Sequence, residues 1–73
     1  MLYKLSFLDA SGVAEEVCKS DFEDDHTAVL WMKFIGAERF LHSGWAIMEL
    51  RCRNRRVARL TADVFSSYFP KTP

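Results

Sequence analysis

Residues 24–41 read DDHTAVLWMKFIGAERFL. Carboxylates at the start of this stretch suit the positive end of a helix dipole, and Asp24 is the predicted N-cap. At the other end, Arg39 suits the negative end of the dipole, and Gly44 can follow the C-cap. The stretch therefore predicts one long helix over residues 25–41.

Apolar residues lie on two sides of this helix. The first stripe comprises Ala28, Trp31, Met32 and Ile35, and the second, nearly opposite stripe comprises Leu30, Phe34, Ala37 and Leu41. A helix that is apolar on both sides is expected to be covered on both. One stripe is predicted to pack on a sheet, and the other needs a second layer or a partner.

Strand patterns precede and follow the helix. Residues 2–8 alternate apolar and polar side chains, a DASG turn follows at 9–12, and residues 13–20 form a second, less regular strand. Beyond the helix, residues 45–50 and 56–60 have strand composition on either side of a polar turn. The predicted fold is α+β, with the order β-β-α-β-β. An antiparallel sheet is built from two hairpins, and the helix packs on one face.

The segment after residue 60 has apolar residues at helical spacing. A short amphipathic helix is predicted there, ending before Pro70. The segment either folds back over the second stripe or packs against a partner, most simply a second copy. The organisation predicted is a single domain over residues 1–60 and a tail over 61–73. The candidate self-association residues are Val64, Phe65, Tyr68, Phe69, Leu30 and Phe34.

Length and composition limit the classes of protein to which this chain can belong. The chain has 73 residues, of which 49% are hydrophobic, and its ten basic side chains balance ten acidic ones. A chain of this length can bury one small hydrophobic core. Its composition is too apolar for a disordered chain and too charged for a membrane protein. Strand alternation begins at the first residues, so we expect no leader peptide. We expect a cytoplasmic protein with free thiols at Cys18 and Cys52 and no membrane partner.

Several short motifs resemble a family of short uncharacterised bacterial proteins, a domain of unknown function. The matching pieces are YKLSFLDASG at residues 3–12, Asp24-Asp25, MEL at 48–50 and VARL at 57–60. The resemblance covers residues 2–60 and implies a hairpin, helix, hairpin fold. The sequence Leu50-Arg51-Cys52 departs from the family pattern, and the tail lies outside it. The resemblance implies no catalytic or binding residues.

The second hairpin is rich in arginine, with no acid among the arginines. Its basic residues are Arg51, Arg53, Arg55, Arg56 and Arg59. Residues 9–25, in contrast, contain seven carboxylates and a single lysine, Lys19. The favoured interpretation is that these opposite charges pair between neighbouring strands or across a dimer interface. The alternatives are nucleic-acid phosphates and an acidic protein partner.

Alternation along the third strand assigns its two faces. It places Met48 and Leu50 with Cys52 against the helix, and Arg51 with Trp45 on the open face. An exposed tryptophan beside cations could stack on a base. The favoured interpretation is instead that Trp45 is half-buried where the helix meets the strand.

The residue types for metal binding are present, but their spacing is not that of a structural zinc site. They are Cys18, Cys52, His26 and His42. Cys18 with His26 could form a nucleophile and base, although strand and cap chemistry already accounts for that region. No metal, cofactor or enzymatic activity is predicted. The sequence favours a non-catalytic, self-associating protein-interaction module, with nucleic-acid binding through the second hairpin as the alternative.

Overall fold

The computed structural model describes residues 1–42 and 44–67. Its elements are β1 Leu2–Leu8, β2 Ala14–Asp21, α1 Asp25–His42, β3 Ile47–Cys52, β4 Arg55–Thr61 and α2 Ala62–Ser66. The strands form one antiparallel sheet in the order β2-β1-β3-β4. The predicted α+β fold, with its helix between two hairpins and a short C-terminal helix, is confirmed.

The first turn is held by one carboxylate. Asp9 Oδ1 accepts backbone hydrogen bonds from Ser11 at 2.9 Å and from Val13 at 3.0 Å. Gly12 takes a φ of 89°, which a residue without a Cβ adopts at little cost. The predicted DASG turn is thereby confirmed, and it sets the pairing of β1 with β2.

Both ends of α1 follow the prediction closely. Asp24 Oδ1 accepts the backbone N–H of Thr27 at 2.8 Å, which is the geometry of an N-cap. Gly44 has a φ of 72°, and its N–H donates to the carbonyl of Arg39 at 3.0 Å. This glycine therefore closes the helix as expected.

The third strand lies further along the chain than predicted. It begins at Ile47 rather than Trp45 and continues to Cys52, because Arg51 and Cys52 extend the ladder with β1. The turn shrinks to two residues, of which Arg53 has a φ of 57°. The consequence is that Arg51 belongs to the sheet and not to a turn.

The core lies between α1 and one face of the sheet. Its buried residues are Tyr3, Leu5, Phe7, Ala28, Met32, Trp45, Met48, Leu50, Cys52 and Phe65. The predicted inner face of β3, which carries Met48, Leu50 and Cys52, is confirmed. A Cβ at Gly36 would lie 2.5 Å from Sδ of Met48, so any larger residue there would require the end of the Met48 side chain to move.

An aromatic cluster closes one end of the core. The indole N–H of Trp45 donates to the carbonyl of Gly36 at 3.0 Å, which satisfies its only donor. The Trp45 ring lies 5.0 Å from that of Phe65 and 5.7 Å from that of Phe40, centroid to centroid. The helix α2 therefore contributes a core residue.

Candidate functional surfaces

The acidic and basic strands lie at opposite edges of the sheet. β2 and β4 are separated by β1 and β3. The predicted intramolecular pairing of the acidic residues 9–25 with the arginines is therefore wrong for the carboxylates of β2, but it holds for Asp25 of α1, which pairs with Arg55. Glu16 pairs instead with Arg39 of α1, and Asp21 pairs with the amino group of Met1.

One arginine of the second hairpin belongs to a structural cluster with Tyr3 and Asp25. Arg55 donates to the two carboxylate oxygens of Asp25 at 2.8 and 3.0 Å, and the Tyr3 hydroxyl donates to Oδ1 at 2.7 Å. The hydrogen bonds from Arg55 and then Tyr3 lower the pKa of Asp25 to about 2. Hydrogen bonding to Asp25, together with burial, raises the pKa of Tyr3 to about 12. The cluster links β1, α1 and β4, so Arg55 is engaged within the fold.

This cluster predicts how stability depends on pH. The pKa of Asp25 falls from an ordinary 3.8 to about 2 in the fold, so its charge stabilises the protein above about pH 4. That contribution is lost as the pH falls toward 2. We expect Asp25→Asn to lower the melting temperature at pH 7, and the difference from wild type to disappear near pH 2. Circular dichroism melts across this range measure it, and a difference independent of pH would contradict the assignment.

A line of basic side chains crosses the face of the sheet opposite α1, one from each strand. This line, the basic row, consists of Lys19, Lys4, Arg51 and Arg56. Lys4 pairs directly with both Lys19 and Arg51, and Arg51 pairs with Arg56. Like charges directly opposite each other destabilise a sheet. The row is therefore a feature that folding alone does not favour.

The sequence predictions contained only half of the basic row. The arginine cluster of the second hairpin includes Arg51 and Arg56, whereas the alternation over residues 2–8 only places Lys4 on the polar side of its strand, and Lys19 is the single lysine of an acidic segment. The strand order, which places β1 beside β3, brings all four into line. Alternation along β1 was the one local signal, because it turns Lys4 away from the core.

The remaining arginines lie near the row. Glu49 pairs with Arg51 at 3.0 Å and lies directly opposite Arg59 on β4. Arg53 lies in the turn between β3 and β4. Within residues 1–42 and 44–67, neither Arg53 nor Arg59 forms an ion pair.

Two predicted surface aromatics are in the core. Trp45 is 7% exposed and Phe65 is 3% exposed. The assignment of Trp45 to the open face, and with it the stacking surface, is therefore wrong. Trp45 lies between helix and strand as favoured, but it is buried rather than half-buried. Phe65 does not present its ring for self-association, because it packs on Trp45 and Phe40. Tyr68 and Phe69 lie outside the described residues.

The second apolar stripe of α1 faces outward. Leu30 is 54% exposed, Phe34 69% and Leu41 74%, with the half-buried Ala37 between the last two. We call these four residues the outer stripe. In the described part of the chain no segment covers its three large side chains. Val64, at 50% exposed, is a further open apolar residue on α2.

The cysteines and histidines do not form a site among the described residues. Cys18 and Cys52 are free thiols, as predicted, and they lie on strands separated by β1. Burial and then the nearby Glu16 raise the pKa of Cys18, which opposes formation of a nucleophilic thiolate. Its hydrogen-bond partner is Glu16 rather than His26. No three His, Cys, Asp or Glu side chains in the described ranges converge as metal ligands.

Comparison with known protein-family models, curated proteins and solved structures finds no match. The resemblance to a domain of unknown function therefore stays a prediction. No helix within residues 1–42 and 44–67 is long and apolar enough to cross a membrane. Two surfaces carry the functional argument, namely the outer stripe on α1 and the basic row on the sheet.

Proposed function

We propose that this protein is a non-catalytic interaction module that self-associates through the outer stripe of α1. The observation that carries the proposal is the exposure of Leu30, Phe34 and Leu41, between 54% and 74%, along one line of a single helix. A line of large apolar side chains that are exposed to solvent in the monomer is typical of an interaction surface.

The spacing of the outer stripe favours another helix as its occupant. Its residues stand at 30, 34, 37 and 41, intervals of four, three and four. These are the intervals of the a and d positions in a coiled-coil seam. A second copy of α1 supplies the same seam, so a two-fold axis satisfies both copies at once.

Side-chain volume favours an antiparallel pair. In that orientation, an axis centred between residues 35 and 36 sets Phe34 against the partner's Ala37, and Leu30 against the partner's Leu41. A parallel pair would stack two phenylalanines in one layer and two alanines in the next, leaving a void. The antiparallel pair, in which a large side chain faces a small one, is therefore the better-packed arrangement.

The expected affinity is modest. Fully burying a leucine or phenylalanine side chain contributes about 1.5–3 kcal/mol. The outer stripe has three such side chains in each copy, and association costs about 4–15 kcal/mol. At the middle of these ranges the balance for two copies is about −4 kcal/mol, which corresponds to a weak dimer with a dissociation constant of about 1 mM. The two free thiols support a location in the reducing cytoplasm.

Light scattering coupled to size-exclusion chromatography tests this proposal. We expect the mass of the full chain to rise from 8.5 kDa toward twice that value as the protein concentration increases toward and beyond about 1 mM. The rise should persist in about 1 M salt, because apolar burial is not screened as charge pairing is. A mass of 8.5 kDa at every concentration would reject self-association and leave the outer stripe to a different protein.

A further inference from the structure

We propose that the sheet face opposite α1 binds the phosphodiester backbone of single-stranded nucleic acid through the basic row of Lys19, Lys4, Arg51 and Arg56. The proposal is independent of self-association, because α1 and the row lie on opposite faces of the sheet.

The geometry of the row suits a linear polyanion. Adjacent strands lie about 4.8 Å apart, so four cations on successive strands span about 14 Å in a straight line. Among the described residues, Arg51 is the one member of the row that forms an ion pair, at 3.0 Å to Glu49. In the described part of the chain, Lys4, Lys19 and Arg56 have none. A ligand with negative charges repeated along a line can relieve three like-charge pairs at once.

A groove at the end of the row indicates where the strand continues. It runs along β4 with a volume of about 470 Å³, and its lining includes Arg56, Arg59 and Val64. This volume is in the range of ligand cavities. The Arg59 guanidinium adds N–H donors whose planar arrangement allows two parallel hydrogen bonds to one phosphate. A flexible single strand can follow the row and enter this groove, whereas a stiff duplex cannot bend into it.

The chemistry of the face predicts binding without base preference. The same-face side chains next to the row on β1, β2 and β3 include Leu2, Ser6 and Val17, together with Asp21 and Glu49, whose carboxylates pair with the Met1 amino group and with Arg51. None of these is aromatic, so contacts are made to phosphates and not by stacking on bases. Affinity should therefore depend steeply on salt and weakly on sequence.

Fluorescence anisotropy with a labelled 20-nucleotide oligothymidine tests the proposal, using the full chain at 50 to 200 mM salt. We expect a slope of log affinity against log salt of about −3 for four phosphate contacts. Lys4→Gln should weaken binding by about 3- to 10-fold at 50 mM salt and reduce the slope to about −2. The matched control Lys33→Gln removes one charge from α1 and should leave both values unchanged.

A second readout separates a binding surface from a merely solvated one. Lys4→Gln removes two like-charge contacts, so it should raise the melting temperature of the free protein by about 1–3 °C at low salt while it weakens binding. Four results would overturn the proposal. These are no binding at 50 mM salt, equal loss in Lys33→Gln, tighter binding of a duplex of the same length, or stronger row-dependent binding of polyglutamate or anionic phosphatidylserine vesicles.

Discussion

Phe34→Asp is expected to weaken self-association by at least about 100-fold and to leave the monomer folded. Phe34 is 69% exposed in the single chain, so the monomer loses little packing. In the antiparallel pair each copy would place a carboxylate in an apolar seam. The loss of about 1.5–3 kcal/mol of burial from each copy, with desolvation of the charge added, accounts for the magnitude.

Val17→Asp provides the control for this experiment. Val17 is 42% exposed on β2, on the sheet face away from α1, so its replacement also puts an aspartate in place of an exposed apolar residue. Light scattering should give the wild-type mass profile for Val17→Asp and a constant 8.5 kDa for Phe34→Asp. If the two variants lose association equally, or Phe34→Asp still dimerises, the outer stripe is not the interface.

Phe65→Ala is expected to lower the free energy of unfolding by about 3–5 kcal/mol. The ring is 3% exposed and lies 5.0 Å from that of Trp45 and 5.7 Å from that of Phe40. Its removal opens a cavity in a core that a chain of this size cannot easily repack. Urea denaturation gives the free energy. It should be measured at a concentration where the protein is monomeric, because association adds to apparent stability.

Val64→Ala is the matched comparison for Phe65→Ala. It shortens the neighbouring residue of α2, which is 50% exposed, and should cost less than about 1 kcal/mol. A loss below about 1 kcal/mol for Phe65→Ala as well would show that α2 is not part of the folded core.

Local chemistry accounts for what the sequence predicted well. The Asp9 turn, the Asp24 cap and the Gly44 helix end each depend on residues within a few positions of one another. Alternation along β1 and β3 assigns the core faces, because a slip of one residue would expose Leu5 and Leu50. These features require no knowledge of the neighbouring strand.

Strand order accounts for what the sequence predicted wrongly. Two hairpins can join through several pairs of strands, and the choice of β1 beside β3 separates the acidic β2 from the basic β4. The same choice aligns Lys4 with Arg51, which no local pattern reveals. The burial of Trp45 was also not predictable from its local sequence. Its burial depends on the carbonyl of Gly36 and on Phe65, nine and twenty residues away in sequence.

The outer stripe of α1 is tested most directly by nuclear magnetic resonance on ¹⁵N-labelled wild-type protein at several concentrations. Amide shifts that depend on concentration should cluster at residues 30, 34, 37 and 41 and leave Lys4 and Arg51, on the opposite face of the sheet, unchanged. Spectra that do not change with concentration, or changes that map to the strands instead of α1, would contradict self-association through this helix.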